Sequence, residues 1–468
     1  MFNFLLAPVL ILVGSFFDIK KVKFIMPLLA ALMFVPLYFS FGKGDIGFFD
    51  NLFILDNLAR YILLTSVVVG ICIALAMISL DKHVKIDEKA YKNFYRFFAL
   101  FWIGLTVSIL SNSMGIYWIG LEMATLSTVY MIKTNSTAFA HKEAWNYMIV
   151  GAIAISLILF GIILIYASAK PYLGEDAIKF SVLLSNVNFI KQRYMFELGF
   201  AFVAVGMFVK MGFFPMNLWL ANIERASFYP VAALFSGILE SAIMIGFFRF
   251  SLIAKEINYS HLIGFSVLYS LLTLFVVSFL LYRVKDFMRL FSLSGIEHMA
   301  IISIFWISGA HFAALLHFGA HAFLKPALFI STGVLESGGK YHIAGALRGY
   351  VTLKGRIFAF TVGALMLSII SLPPSPMFFS ELYGFGGMIE LAKTSHHMLL
   401  MLGAITLLLL FLSIIFYKFI EVYQSMKYEG IEKEKKVYLS ETISIVVLMF
   451  SAMVLLLPQV FLFLKSIG

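Results

Sequence analysis

Eight ionisable side chains interrupt stretches that are otherwise apolar, and the chemistry they could share is proton transfer. Lys210 ends an apolar run in YMFELGFAFVAVGMFVKMGFFPMNLWL (194–220), just before Gly212 and Pro215. Glu122 lies inside SMGIYWIGLEMATLSTVYMI (113–132), beside the small residues Gly120 and Ser127. In HFAALLHFGAHAFLKPALF (311–329), His317, His321 and Lys325 recur at i, i+4 and i+8, one face of a helix. His298 follows Glu297 in SLSGIEHMAII (292–302), and Glu381 follows Pro373, Pro374 and Pro376 in SLPPSPMFFSELYGF (371–385).

A charge at mid-membrane costs roughly 2.5–3.5 kcal/mol on insertion scales, so it persists where a cavity, a partner or a function offsets that cost. Glu122 read blandly is a buried neutral carboxyl. Read more sharply it pairs with Lys210, and such a pair titrates as a unit that a neighbouring charge can tip. Imidazole titrates near neutrality, which suits the 317/321/325 face to a hydrated proton path. The same face could instead be plain buried polar packing, or a metal site, although the helper carboxylate and third ligand of a HExxH arrangement are absent.

The elements that must hold these groups follow from composition. Hydrophobic residues make up 62% of the 468 and charged residues 13%, with a mean hydropathy of +0.97, which marks a polytopic, all-α membrane protein. The net charge of +10 is spread over inter-helix loops with no basic domain or stripe, which argues against nucleic acid as a partner and leaves the lipid bilayer as the medium. The single cysteine, Cys72, can form neither an intrachain disulfide nor a thiolate metal cage, so it reads as a small core residue. The first seventeen residues lack a basic n-region and a cleavage site and read as a retained first span.

Windows of about twenty residues, the length that crosses a hydrocarbon core, fall near 2–17, 24–41, 58–80, 95–111, 113–132, 144–167, 194–216, 229–250, 261–282, 287–308, 311–335, 356–390, 396–420 and 438–464. About 14 transmembrane helices result. The segment 356–390 is too long for one simple span, and its prolines require a discontinuous helix. Most of the 35 Lys and Arg collect on one set of alternate loops. The positive-inside rule puts that side in the cytoplasm and both termini outside, in the periplasm of an inner membrane. The long loops, 81–96, 168–193, 336–355 and 421–437, leave no room for a soluble catalytic domain.

The chain divides into an N-terminal three-helix segment (1–94), two five-helix repeats (95–250 and 261–423) and a C-terminal helix (438–468). The fourth span of each repeat is the broken one, GFFPM (212–216) in one and PPSPM (373–377) in the other. Lys210 lies five residues before Pro215 and Glu381 five after Pro376, the opposite offsets expected of inverted-topology repeats.

Five motifs in this order resemble a known family. They are the mid-membrane Glu122; KxGxxPxxxWL at Lys210, Gly212, Pro215, Trp219 and Leu220; a SIxHMG-like stretch at 294–300; HAxxK at His321 and Lys325; and LPPxxxFxSE at 372–381. The chain is similar to the antiporter-like membrane subunits shared by respiratory complex I, multisubunit cation/proton antiporters and membrane-bound nickel–iron hydrogenases, over roughly residues 95–420. Glu297 and the stretch EAWNYMIVGAIAISLILFGIILIY (143–166) look most like component F of the hydrogenase 4 and formate hydrogenlyase group.

That resemblance implies a proton-translocating subunit with no chemistry of its own in an energy-converting redox complex. Partner membrane and peripheral subunits would hold the NiFe centre and iron–sulfur clusters, with protons, or Na+, as the cargo. A subunit of a multisubunit Na+/H+ antiporter and an M- or N-type subunit of NADH:quinone oxidoreductase are the alternatives. The family's PxHxWLPDAH stretch is altered here, with Asn217, Ala221, Asn222 and Glu224 in its place. Where the next span often carries Lys or His, SGILESAIM offers Glu240, expected to stand in as the central relay group.

Overall fold

The computed structural model describes residues 2–17, 19–84, 86–257, 260–335, 353–394, 398–428 and 437–467. Among them the chain is helical apart from one short hairpin. Helices α1 (Phe2–Gly14), α2 (Ile19–Ala31) and α3 (Phe34–Tyr38) precede that hairpin, whose strands are β1 (Ile46–Phe48) and β2 (Phe53–Leu55). Next come α4 (Asn57–Ala76), α5 (Leu80–His83), α6 (Glu88–Leu110), α7 (Met114–Ile132), α8 (Ala138–Leu173), α9 (Phe180–Asn186) and α10 (Arg193–Lys210). The chain continues through α11 (Asn217–Ala226), α12 (Tyr229–Leu234), α13 (Glu240–Glu256), α14 (Ser260–Tyr282), α15 (Phe287–Ile307) and α16 (His311–Leu335). It ends in α17 (Leu353–Ile369), α18 (Pro376–Thr394), α19 (Met398–Tyr428), α20 (Leu439–Val454) and α21 (Pro458–Ile467).

Eight helical segments among the described residues are long and apolar enough to cross a membrane. The expected fourteen is reached only if further segments cross as well: the charge-bearing α7, α10 and α18, the bent pair α20 and α21, and the shorter apolar helices at the N-terminus. The physical reason is plain for α10, which carries Arg193, Glu197 and Lys210 within its 18 residues. The helices of Glu122, Lys210 and Glu381 fall outside the eight, whereas those of Glu240, Glu297, His298 and the 317/321/325 face are among them. Two boundaries differ from expectation. The window 438–464 is not one straight span but bends by 70° ahead of Pro458, and the 168–193 loop contains α9 and two 3-10 turns. Parts of the basic loops, 336–352 and 429–436, lie outside the described residues.

The chain forms two compact units from non-contiguous segments. The first comprises Met1–Val67, Asp87–Trp219 and Ile238–Ser266, the second Val68–Ile86, Leu220–Gly237 and Val267–Gly468. In the first unit, α8 and α10 approach backbone to backbone: a Cβ added at Gly199 would sit 2.8 Å from the Gly161 carbonyl oxygen. Small residues of this kind permit close helix packing in a membrane. The turn between α6 and α7 is fixed by Asn112, whose side chain donates to Asn51 O and to Ser181 Oγ, both at 2.8 Å. Arg249 of α13 secures the same turn through Ser111 O and reaches Asp56 Oδ2 at 2.9 Å. In the second unit α16 is the central helix, buried along nearly its whole length and packed by α12, α15, α18 and α20.

The two helix breaks share one backbone design. After α10, Gly212 takes a left-handed φ of 74°, its N–H reaches Val209 O at 3.1 Å, and Phe213 N–H reaches Phe208 O at 2.9 Å. After α17, Ser371 takes a φ of 60°, its N–H reaches Ser368 O at 3.2 Å, and Leu372 N–H reaches Leu367 O at 3.2 Å. Both are helix caps of the Schellman type, which satisfy carbonyls the broken helix leaves open. The cap pairs Gly212 with Ser371, and therefore Pro215 with Pro374. Matching Pro215 to Pro376, as the sequence spacing suggested, is off by two residues.

Candidate functional site

In the first unit, Lys210 is the last residue of α10 and is buried. Its Nζ donates to Thr125 Oγ1 on α7 at 2.7 Å, while that hydroxyl donates in turn to Leu121 O at 2.8 Å. Gly151 of α8 leaves the room for this: a Cβ there would lie 3.7 Å from Nζ. Glu122, one turn before Thr125, is the carboxylate whose charge reaches Lys210, and its buried Oε2 has no hydrogen-bond partner among the described residues. The expected Glu122–Lys210 pair is thus not a direct contact here; a threonine hydroxyl holds the ammonium beside the carboxylate. Thr128, a further turn on, meets Tyr147 Oη at 3.0 Å. The Tyr147 ring stacks on Trp219 at 5.1 Å, and Trp219 Nε1 donates to Val209 O at 3.0 Å, which locks the end of α10 next to Lys210.

Glu240 is buried at the start of α13, directly after a π turn over Phe235–Leu239. Such turns recur at functional sites. Gly212 is buried at its cap, while Pro215, Pro373 and Pro374 are exposed and Pro376 opens α18 from a buried position.

The second unit gathers the remaining groups. Ser380 Oγ donates to Met377 O at 2.7 Å, so its oxygen accepts from His317 Nδ1 at 2.8 Å. A neutral His317 then presents Nε2 as an acceptor to His298 Nδ1, 3.0 Å away. With both of its nitrogens engaged, His317 is not free to ligate a metal. Among the described residues no three His, Cys, Asp or Glu side chains converge as a metal cage. His298 Nε2 is buried with no hydrogen-bond partner among the described residues. His298, His317 and Ser380 thus form a continuous hydrogen-bonded row. His321 lies beside it, its ring centroid 5.4 Å from that of His298. One turn further along α16, Lys325 Nζ donates to Phe291 O at 2.6 Å.

Around Lys325 stand two buried carboxylates: Glu297, which the sequence singles out beside His298, and Glu224, which it names only within the altered stretch after Pro215. Glu297 has Lys325 and Glu381 as its charged neighbours, and Glu224 of α11 faces Ser292 and Lys325. Glu224 sits in a ten-residue amphipathic helix that reads as interfacial from sequence. Glu381 closes the row: Ser371, the left-handed cap residue, donates to its Oε1 at 2.5 Å. Thr125, Tyr147, Ser371 and Ser380 escape a scan for ionisable groups because they act by hydrogen bonding.

Ser371 gives a test of its own. A non-glycine residue in the left-handed region costs about 1–2 kcal/mol. Ser371→Gly should therefore hold or raise thermal stability, by up to about 1 kcal/mol, while removing the hydroxyl on Glu381 and lowering proton translocation. Calorimetry set beside vesicle acidification checks both, and unchanged translocation would remove Ser371 from the site.

Comparison with known proteins places this geometry. The family described as NADH:quinone oxidoreductase/Mrp antiporter, TM matches residues 111–410. A hydrogenase-4 component F homolog of Methylacidiphilum infernorum is 29% identical over 365 residues, 76% of each chain. A NADH-quinone oxidoreductase subunit N of Neisseria gonorrhoeae is 26% identical over 271 residues, 56% of this chain and 53% of its own. Among solved structures, a chain of respiratory complex I from Thermus thermophilus superposes with a TM-score of 0.78 at 16% identity, covering 98% of both chains. A chain of the Mrp complex from Dietzia sp. gives 0.82 at 13% identity, covering 99% of this chain and 94% of that one.

Proposed function

Because the chain belongs to the NADH:quinone oxidoreductase/Mrp antiporter transmembrane family, we propose that it is the proton-translocating, antiporter-like membrane subunit of an energy-converting redox complex, most closely of the membrane-bound nickel–iron hydrogenase kind. The observation that carries this reading is the burial of ionisable groups in both units. Lys210 with Glu122 and Thr125 stands in one; Glu224, Lys325, Glu297, His321, His298, His317 and Glu381 stand in the other. Burying that many ionisable groups in membrane-spanning helices without a function is costly. In this reading Glu122 and Lys210 form the first gate, Glu240 the central relay group, the α16 face the connecting path, and Glu381 the terminal site. The NiFe centre and iron–sulfur clusters belong to partner subunits, and the basic loops face the cytoplasm, with both termini on the outer side of the inner membrane.

The similarity to the Mrp chain supports a second reading, a subunit of a multisubunit Na+/H+ antiporter. Purifying the native complex through a tag on this chain separates the two. Redox subunits with nickel and iron support the first reading, and small membrane subunits with no redox metal support the second. On either reading the chain alone should turn over neither hydrogen nor any hydrolysable substrate; measurable hydrogen turnover by the isolated chain would overturn both.

A further inference from the structure

The second unit contains a buried cluster that the row above does not use, two of its three members, His83 and Glu441, lying outside the family-matched stretch. His83, at the end of α5, places Nε2 2.7 Å from Glu441 Oε1 on α20, and both side chains are buried. Tyr229, the first residue of α12, donates its hydroxyl to the same oxygen at 2.8 Å. Glu441 Oε2 is buried and has no hydrogen-bond partner among the described residues. Oε1 therefore accepts one hydrogen bond, from Tyr229, and lies within ion-pair distance of His83 Nε2, which is not aligned on it as a hydrogen bond, while Oε2 stays open to a proton. A structural clasp would be expected to use both oxygens, since a buried polar atom left unmade costs about 1–3 kcal/mol.

The surroundings give this cluster an outside and an inside. Outward, His83 packs edge-on to Tyr438 at 5.1 Å, and Lys82, exposed, lies over that ring at 4.3 Å, with Asp81 exposed beside it. Inward, the Tyr229 ring lies so close to α16 that a Cβ on Gly333 would be 2.5 Å from two of its carbons. Lys325 stands eight residues back along the same helix, about 12 Å at the usual rise. Residues 326–335 contribute no ionisable side chain, and α12 contributes only Tyr229. Among the described residues the ionisable groups placed at the cluster are Asp81, Lys82, Tyr438, Tyr229 and the His83–Glu441 pair itself.

We propose that His83, Tyr229 and Glu441 form a proton-binding site that loads the ionisable row of α16 from the membrane edge. An imidazolium at His83 gives its Nε2 proton to Glu441, leaving a neutral imidazole and a carboxylic acid. The imidazole regains a proton from water, and the acid passes its own to a water molecule on the α16 side, which restores the carboxylate and leaves hydronium to carry the proton on. This inference rests on the proton-carrying reading of that row.

The test uses the native complex with a tag on this chain. In pH-jump infrared difference spectra, wild type should show a protonated-carboxyl band that Glu441→Gln lacks and that Tyr229→Phe shifts by removing one donor. In proteoliposomes Glu441→Gln should lower the initial rate of proton translocation about tenfold, a modest share of what a positioned acid/base contributes, with recovery as the supply side is acidified. Glu441→Asp should retain most of the rate. An unchanged band, or full translocation by Glu441→Gln at high pH, overturns the site. If Glu441→Gln fails to assemble, an unshifted carboxyl band in Tyr229→Phe overturns it instead. Wild-type vesicles that move no protons overturn the broader reading and with it the loading role, whereas a missing band in a pumping complex overturns this site alone.

Discussion

Lys210→Met is expected to abolish proton translocation in a complex that still assembles. Methionine matches lysine in length and is apolar; replacing a whole buried ion pair by apolar groups is often neutral or stabilising, but removing one member leaves the other without its counter-charge, so assembly is measured before translocation is read. The Thr125 hydroxyl left behind keeps its donation to Leu121 O, so no buried donor is orphaned. What disappears is the cation whose charge reaches Glu122. If Lys210 were only a tolerated buried charge, translocation would survive. Lys210→Arg separates charge from proton exchange, because arginine stays charged but cannot release a proton. We expect it to be inactive as well, and partial activity would assign Lys210 the role of a fixed counter-charge. The measurement is ΔpH formation in proteoliposomes, with assembly followed on native gels. Wild-type pumping by Lys210→Met would sink the scheme.

The parts of this arrangement that could be read without coordinates are those set by burial and period. The window 311–335 coincides with α16 because its apolar residues continue on all sides and only one face carries His and Lys. The discontinuity between α17 and α18 follows from three prolines in a stretch too long for one span. The register of the two breaks did not follow, since it is set by which residue takes the left-handed conformation. Gly212 advertises that role, but Ser371 does not. The bend before α21 has a local signal in Pro458, which the overall hydropathy of 438–464 outweighed. Tertiary contacts supplied the rest. Nothing in the sequence brings Thr125 under Lys210, Ser380 under His317, or Glu224 up to Lys325, because each partner lies on a different helix.

Glu381→Gln is the second large effect, and the structure makes its interpretation narrow. The amide keeps an acceptor for Ser371 and nearly the same volume, so α18 should pack as before and the complex should assemble with its partner enzyme activity intact. A glutamine cannot take up and release a proton. If Glu381 is the terminal site, the row from Lys325 through His298 and His317 has nowhere to discharge, and translocation should fall by about 100-fold or more, the range attributed to a single positioned acid/base group. Glu297 is the control, since it is buried near Glu381 and Lys325 yet belongs to α15. Glu297→Gln leaves Glu224 as a charged neighbour of Lys325 and should slow the row without stopping it. Equal losses in both variants would mean that the two carboxylates act as one acidic cluster. Proton uptake by Glu381→Gln vesicles at the wild-type rate would leave the second break without a role in translocation, and the path would then have to leave the second unit elsewhere.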